Sequence, residues 1–256
     1  MPTVLLVRHG RTNANATGLL AGWTPGIGLD ETGRTQAKGL AERLAAVPLA
    51  AAVVSPLQRC QETAQLLLDA HPRTLDGALS PVTDERLGEC KYGDWTGRPL
   101  KELAEEPLWK VVQAHASAVT FPGEHGESIP QMQTRAVTAI REHDARIAAE
   151  HGDDAVWLAV SHGDVIKSIL ADALGMHLDA FQRLVADPCS VSVVRYTRLR
   201  PFALRVNDVG GDLSGVVPPA RPKGEPADGP TDDAEASSDA VVGGSHGGSH
   251  GADVRP

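Results

Sequence analysis

The chain has 256 residues, 41% of them hydrophobic, and a formal net charge of −9 at pH 7. This length suffices for one large domain with a substantial core, or for a domain and a tail. The acidic balance argues against a nucleic-acid-binding protein that relies on phosphate contacts, and the longest apolar stretch, around Leu44 to Val54, contains Pro48 and is too short to span a membrane. We therefore expect neither a nucleic acid nor a membrane as partner.

The first predicted element is a strand buried on both faces, the apolar run Thr3 to Val7. Arg8-His9-Gly10 follows directly and therefore lies where this strand leaves the sheet. In open α/β sheets, ligands bind at that end of the strands. An arginine and an imidazole side by side at this point predict a phosphate site that contains a nucleophile.

Three further elements are predicted in the first half of the chain. Apolar spacing predicts a helix over about 31–46, and the apolar run 49–54 predicts a second strand. Ser55-Pro56-Leu57-Gln58 has the pattern of a helix start, with Ser55 as N-cap. The segment from about 73 to 120 is less regular, with short helices around 100–115.

The second half of the chain continues this alternation. Ser128-Ile129-Pro130-Gln131 repeats the helix-start pattern and predicts a long helix to about Glu150. The apolar run 155–160 predicts a buried strand that ends at Ser161-His162-Gly163, and a helix follows to about Leu174. Late strands are predicted over 190–196 and 202–206. Strands that alternate with helices predict an α/β fold with a mainly parallel sheet.

The composition changes at about Asn207. From there to the end, large apolar residues almost vanish and the hydrophobic periodicity is lost. This stretch contains nine acidic residues and three basic residues. We predict one ordered domain over 1–206 and a disordered acidic tail over 207–256. The tail ends in two copies of Gly-Gly-Ser-His, whose histidines could bind a metal weakly, although a solvated low-complexity segment is the favoured interpretation.

The cysteine content indicates a reducing compartment. Cys60, Cys90 and Cys189 are too few and too scattered for a disulfide framework, and no two of them form a CxxC pair. No basic and apolar leader precedes the first strand. We expect a cytoplasmic protein with reduced thiols.

Four sets of residues together indicate a family. They are Arg8-His9-Gly10, Arg59 in the first turn of the predicted Ser55 helix, Glu89 in the pattern ExxYGxWxG, and Ser161-His162-Gly163. With Ser55 to Ala64 and Gly126-Glu127-Ser128, they resemble the histidine phosphatase superfamily, also called the phosphoglycerate mutase-like family, over about residues 3–197. The resemblance implies a three-layer αβα sandwich with a mainly parallel central sheet, and it makes residues 1–206 the catalytic domain.

The chemistry of these residues supports the same assignment. Arg8 and Arg59 can each hold phosphoryl oxygens with a planar guanidinium, and His162 supplies a further donor. We expect His9 to attack phosphorus through a neutral ring nitrogen, while a carbonyl such as that of Gly10 holds the other nitrogen.

The expected acid is Glu89, which would protonate the leaving alkoxide and later deprotonate the water that hydrolyses the phosphohistidine. Glu85, four residues earlier, is the alternative, but the family's acid is the glutamate before the Tyr-Gly element. No metal motif is present in the sequence, so we expect an enzyme with no metal and no cofactor.

The remaining site residues are assigned less directly. Asp164 most simply caps the helix after Ser161-His162-Gly163, and its alternative role is to face the substrate. Trp23, Trp95 and Trp109 either line the pocket mouth or, by default, pack in the core. The resemblance also implies substrate-binding positions, which are Thr12, Asn15, Gly22, Tyr92 and Gly163.

Two departures from the mutases of this family favour a hydrolase. Mutases carry an Arg- and Pro-rich insertion after the Glu-x-x-Tyr-Gly element, whereas the stretch 97–126 here is short and has few basic residues. Mutases also tend to have Asn where this chain has Asp164, whose charge would repel a second anionic group. We expect a metal-independent phosphomonoester hydrolase that acts on a phosphorylated small molecule through a phosphohistidine on His9.

Two alternatives stay open at this point. One is phosphoglycerate mutase-type phosphoryl transfer, and the other is a non-catalytic phospho-ligand binder, which the complete set of reactive residues disfavours. The sequence assigns no oligomeric state.

Overall fold

A computed structural model of the chain describes residues 2–71, 79–211 and 243. Residues 73–78 of the irregular segment and nearly all of the 207–256 tail lie outside these residues. The described residues form six strands and seven α-helices in the order β1 (Thr3–Arg8), α1 (Asn13–Thr17), α2 (Glu31–Leu44), β2 (Ala51–Val54), α3 (Gln58–Asp69), β3 (Val82–Thr83), α4 (Leu100–Leu103), α5 (Pro107–Ala114), α6 (Ile129–His151), β4 (Val156–Ser161), α7 (Gly163–Ala173), β5 (Val191–Tyr196) and β6 (Pro201–Asp208).

The strands form one sheet in the order β3-β2-β4-β1-β5-β6. The first four in this order run parallel to one another, while β5 is antiparallel to β1 and β6 is antiparallel to β5. The predicted mainly parallel sheet is confirmed, and the two late strands make it mixed. Arg8 at the end of β1 pairs with Ser161 at the end of β4, so these two strand ends are level.

Helices cover both faces of this sheet. In β1, Val4 and Leu6 enter a core shared with α6 and α7, whereas Leu5 and Val7 enter a second core shared with α2 and α3. Successive side chains of a strand point to opposite faces, so the two cores lie on opposite sides. The three-layer αβα sandwich is confirmed. Among the described residues, no helix is both long and apolar enough to cross a membrane.

The two predicted helix starts have different outcomes. Ser128 caps α6 as predicted, and the side chains of Ser128 and Gln131 form reciprocal capping bonds. The prediction of Ser55 as a cap was wrong, because Leu57 has extended backbone angles (φ −74°, ψ 137°) and α3 begins only at Gln58. The Ser55 hydroxyl instead lies 2.7 Å from a ring nitrogen of His162. A contact across the sheet therefore replaces the local cap.

The start of α2 packs backbone against backbone on the loop that follows β1. A Cβ on Gly33 would lie 2.1 Å from the carbonyl oxygen of Arg11, and a Cβ on Gly10 would lie 2.6 Å from the carbonyl oxygen of Gly33. Backbone atoms cannot rotate away as a flexible side chain can. Helix α2 therefore fixes the loop that carries His9.

We expect Gly33→Ala to destabilise the fold by about 1–3 kcal/mol, the usual cost of overpacking, although alanine in a helix interior normally stabilises by about 1 kcal/mol over glycine. Gly39→Ala, in the same helix with no atom within 4 Å of the added Cβ, is the matched control and should stabilise by about 0.5–1 kcal/mol. Denaturant unfolding measures both changes. Stabilisation by both variants would contradict the close contact at Gly33.

Candidate active site

The carboxyl ends of β1 and β4 bring two histidines together. His9 follows β1 and His162 is the first residue after β4, and their ring centroids are 5.2 Å apart. Both rings are buried. His9 also lines a cleft together with Arg59 and Glu89. The structure thus gathers residues from distant parts of the chain at one edge of the sheet.

The His9 ring is oriented by a bond to the backbone. Its Nδ1 lies 2.8 Å from the carbonyl oxygen of Gly10. A carbonyl only accepts, so Nδ1 carries the proton and Nε2 bears the lone pair. Burial, and then the guanidinium groups of Arg59 and Arg8, lower the pKa of His9 well below its ordinary value. The ring is therefore neutral near pH 7, and Nε2 can act as a nucleophile.

Arg59, in the first turn of α3, spans the two imidazoles. Its Nε donates to Nε2 of His9 at 3.2 Å, and its Nη2 lies 3.2 Å from Nδ1 of His162. Nη2 also donates to the carbonyl oxygen of Gly22 at 2.9 Å. The guanidinium is thus held between the rings, where an anion that enters the cleft can accept its hydrogen bonds.

Arg8 provides a second positive charge beneath the cleft, with none of its surface exposed. Its Nη1 donates to the carbonyl oxygen of Ala186 at 2.7 Å, and its Nη2 donates to the carbonyl oxygen of Gly243 at 3.2 Å. Burial lowers the pKa of Arg8, yet guanidinium groups stay protonated in proteins. The cation is fixed in place by the backbone around it.

His162 is held from behind by Ser55. The Ser55 Oγ lies 2.7 Å from Nε2 of His162, which leaves Nδ1 directed toward Arg59 and toward Oε2 of Glu89, 3.8 Å away. Burial, and then Arg59, lower the pKa of His162 well below its ordinary value. The ring is neutral and a guanidinium only donates, so Nδ1 accepts from Arg59 while Nε2 carries the proton and donates to the Ser55 Oγ.

Glu89 contributes a buried carboxyl group. Its Oε1 accepts a hydrogen bond from the Cys90 amide at 2.9 Å. Burial, and then the negative charge of Asp164, raise the pKa of Glu89 to about 7. Glu85, the alternative acid, is exposed on a short turn. The structure therefore brings Glu89 into the site and leaves Glu85 outside it.

Arg135 on α6 holds the loop that carries Glu89. Its guanidinium donates to the carbonyl oxygens of Arg86, Gly88 and Glu89 at 2.6, 2.8 and 2.9 Å. The indole N–H of Trp23 donates to the same Glu89 carbonyl at 2.6 Å. Sequence reasoning missed Arg135, because its helical neighbours give no sign of a loop more than 40 residues earlier.

Asp164 does not cap α7, and the prediction that it does was wrong. His162 occupies the N-cap position, without a side-chain bond.

Asp164 instead accepts hydrogen bonds from the Tyr92 hydroxyl at 2.9 Å and from Nζ of Lys167 at 3.1 Å. Lys167 is 2% exposed, and its charge balances that of Asp164. Sequence reasoning missed this pair, although the i, i+3 spacing on a helix was available as a signal. The balance weakens the argument that Asp164 repels a second anionic group.

Four of the five predicted binding residues line the cleft. These four are Thr12, Asn15, Gly22 and Tyr92. Gly163 begins α7 and is not among the described residues of the lining. Trp95 and Trp109 are buried with ring centroids 6.2 Å apart, which confirms their default position in the core.

Arginines supply the positive charge of this site. Among the residues that the structure describes, no group of three or more His, Cys, Asp or Glu side chains is arranged to hold a metal ion.

Comparison with known proteins relates this geometry to a family. The family model of the histidine phosphatase superfamily (branch 1) matches residues 4–209. A curated protein named "Probable phosphoglycerate mutase GpmB", from Yersinia pestis (strain Pestoides F), is 32% identical over 198 residues, which cover 77% of this chain and 86% of that protein.

Solved structures share the fold. YhfR of Bacillus stearothermophilus is 29% identical, with a TM-score of 0.70 over 82% of this chain and 98% of that chain. The mycobacterial glucosyl-3-phosphoglycerate phosphatase, solved in complex with VO3, is 26% identical, with a TM-score of 0.66 over 80% of this chain and 98% of that chain.

Removing the Asp164 charge should make Glu89 more acidic. Because that charge is the second cause of the raised pKa of Glu89, we expect Asp164→Asn to lower the titration midpoint of Glu89 by roughly one pH unit. Carboxyl ¹³C NMR follows this titration without any need for turnover. The control is Asp172→Asn, which removes another acid of α7, paired there with Arg141 of α6, and it should leave the titration midpoint of Glu89 unchanged. An equal shift in both variants would contradict a direct effect of the Asp164 charge.

Proposed function

We propose that this chain, which belongs to the histidine phosphatase superfamily (branch 1), is a phosphomonoester hydrolase that works through a phosphohistidine on His9. The observation that carries the proposal is the Arg59 guanidinium held between Nε2 of His9 and Nδ1 of His162, with the protonatable Glu89 3.8 Å from the latter nitrogen. Its family relatives include a named phosphatase and a named mutase, which supports an enzyme that acts on phosphates. The partner is a phosphorylated small molecule.

The first step of the proposed reaction transfers the phosphoryl group to His9. The guanidinium groups of Arg59 and Arg8 donate to the phosphoryl oxygens, which carry most of the charge in the transition state, and Nδ1 of His162 accepts from Arg59 and holds that guanidinium in place. Arg59 otherwise donates to Nε2 of His9, so an arriving phosphoryl group takes over that hydrogen bond and frees the lone pair. Nε2 then forms a bond to phosphorus while the bond from phosphorus to the leaving oxygen breaks.

Glu89 moves the protons. With a pKa of about 7, a large share of the carboxyl group is protonated at neutral pH and can donate to the leaving oxygen. The resulting carboxylate then accepts a proton from water, whose oxygen attacks phosphorus and breaks the bond to Nε2. Inorganic phosphate leaves, and His9 returns to its neutral form.

The charges of the cleft support water as the final acceptor. Arg59 and the underlying Arg8 both serve the transferred phosphoryl group, and the described residues that line the cleft include no arginine or lysine besides Arg59. Arg98, in the segment after the Glu-x-x-Tyr-Gly element, is paired with Glu106 at 2.8 Å. A mutase must hold a second anionic group beside the transferred phosphoryl group. Mutase-type transfer is the second candidate, since a curated relative bears that name and Lys167 balances the charge of Asp164.

Replacing the proposed nucleophile should abolish hydrolysis. We expect His9→Ala to reduce phosphate release from p-nitrophenyl phosphate by at least about 1,000-fold, and EDTA to leave the wild-type rate intact. Acid quenching during turnover of a ³²P-labelled ester should trap an acid-labile label on the wild-type protein only. His115→Ala, which changes an exposed histidine, is the control. Activity that survives without His9, or that requires a divalent metal, would refute the proposal.

The acid role of Glu89 predicts a specific pH dependence. The raised pKa keeps the proton on Glu89 up to about pH 7, so phosphorylation of the enzyme by an alkyl phosphate should slow about tenfold per pH unit above that point. Glu89→Gln should remove this dependence and lower the rate about 10²- to 10⁴-fold. The loss should be smaller with p-nitrophenyl phosphate, whose leaving group needs less protonation.

Rapid-quench kinetics measure this step. Glu85→Gln is the matched control and should keep the wild-type profile. A Glu89→Gln enzyme that loses equal activity on both esters would argue against general acid catalysis by Glu89.

A further inference from the structure

A residue from the far end of the chain lies in the catalytic cleft. Gly243 lines the cleft together with His9 and Glu89. Its carbonyl oxygen accepts a hydrogen bond from Nη2 of Arg8 at 3.2 Å, and its amide donates to Oδ2 of Asp164 at 2.9 Å. Both polar groups of one backbone residue are therefore paired with charged side chains of the site.

The cleft cannot hold Gly243 and a phosphate ester at the same time. The space left around Gly243 is about 20 Å³, which is about enough for one water molecule. A phosphoryl oxygen that approaches Arg8 from the cleft meets Nη2, the nitrogen that now donates to the Gly243 carbonyl. Substrate and Gly243 thus compete for both space and a hydrogen bond.

The position suits glycine in particular. The backbone of Gly243 has a φ of +82°, in the left-handed region that other residues rarely adopt, and a Cβ would come within 3.3 Å of Cδ1 of Leu20. Gly243 is also the first residue of the two Gly-Gly-Ser-His copies at the end of the chain. This repeat plays no part in the chemistry proposed for the site.

We propose that the catalytic cleft is also a binding site for peptide backbone, that its ligand is Gly243 of the same chain, and that this ligand competes with phosphate. Bound between Arg8 and Asp164, Gly243 lowers the apparent affinity of the cleft for phosphate without altering the catalytic groups. Competition between Gly243 and phosphate requires binding only and does not depend on hydrolysis.

Weak intrinsic binding is enough for such a ligand. Residues 212–242 separate Gly243 from the body of the fold, and a segment of that length can span up to about 110 Å. Because Gly243 and the cleft belong to one chain, the effective concentration of Gly243 at the cleft is on the order of a millimolar. If Gly243 binds the cleft with an intrinsic dissociation constant of about a millimolar, it occupies about half of the clefts and weakens phosphate binding about twofold. Tighter binding of Gly243 would weaken phosphate binding further.

Proline at position 243 removes the ligand selectively. Gly243→Pro eliminates the amide donor to Asp164 and restricts φ to about −65°, far from the observed positive angle. Gly247→Pro makes the same change at the equivalent position of the second copy and is the matched control. Isothermal titration calorimetry of the full chain with inorganic phosphate should give a dissociation constant about 2–10 times lower for Gly243→Pro, and a wild-type value for Gly247→Pro.

Turnover gives a second readout. In Gly243→Pro the KM for p-nitrophenyl phosphate should fall by the same factor while kcat stays at the wild-type value, as release of a competitor requires. A wild-type phosphate affinity in Gly243→Pro, an equal gain in both proline variants, or a change confined to kcat would each overturn the inference. If the Gly243→Pro variant binds phosphate more tightly than the wild-type chain but neither protein hydrolyses an ester, competition by Gly243 is supported and the proposed hydrolase function fails.

Discussion

The in-register parallel pairing of β1 with β4 is the constraint on which the whole site depends. Arg8 faces Ser161 across this pair, and the residues that follow, His9 and His162, therefore meet. A shift of one residue would displace one imidazole by about 3.3 Å along the strand, and Arg59 could no longer reach both rings. The register is set by apolar side chains that enter the two cores on opposite faces. Packing thus determines the geometry of the chemistry.

Burial at this point also sets the protonation of each group. For His9 and His162, burial and the arginines act in the same direction, so both rings stay neutral. For Glu89, burial and the charge of Asp164 oppose the arginines, and the balance leaves a pKa of about 7. Guanidinium groups keep their charge under these conditions. The site therefore holds permanent cations for a phosphate, a neutral His9 imidazole that can bond to phosphorus, and at Glu89 a carboxyl group that can exchange a proton near neutral pH.

Contiguous patterns predicted most of the fold, because a buried strand or a capped helix is encoded by neighbouring residues. The apolar runs of β1 and β4 and the cap at Ser128 are of this kind. Ser55 shows why local patterns fail, since its partner His162 is 107 residues away. A buried ring nitrogen without a partner costs about 1–3 kcal/mol, whereas a missing helix cap costs about 1 kcal/mol. The contact with His162 is therefore favoured over a cap at Ser55. The residues next to Ser55 in the sequence give no sign of this contact.

Asp164 connects the two ligands inferred for the cleft. Its Oδ1 is occupied by Lys167, while its Oδ2 accepts from Tyr92 and from the Gly243 amide. A phosphate dianion offers only acceptors, so it can replace the Gly243 carbonyl on Arg8 but cannot replace the amide on Asp164. A leaving group that carries a hydroxyl or amide donor near the ester oxygen replaces both bonds. Esters of that kind should displace Gly243 most effectively, because they leave no buried oxygen of Asp164 with one bond fewer.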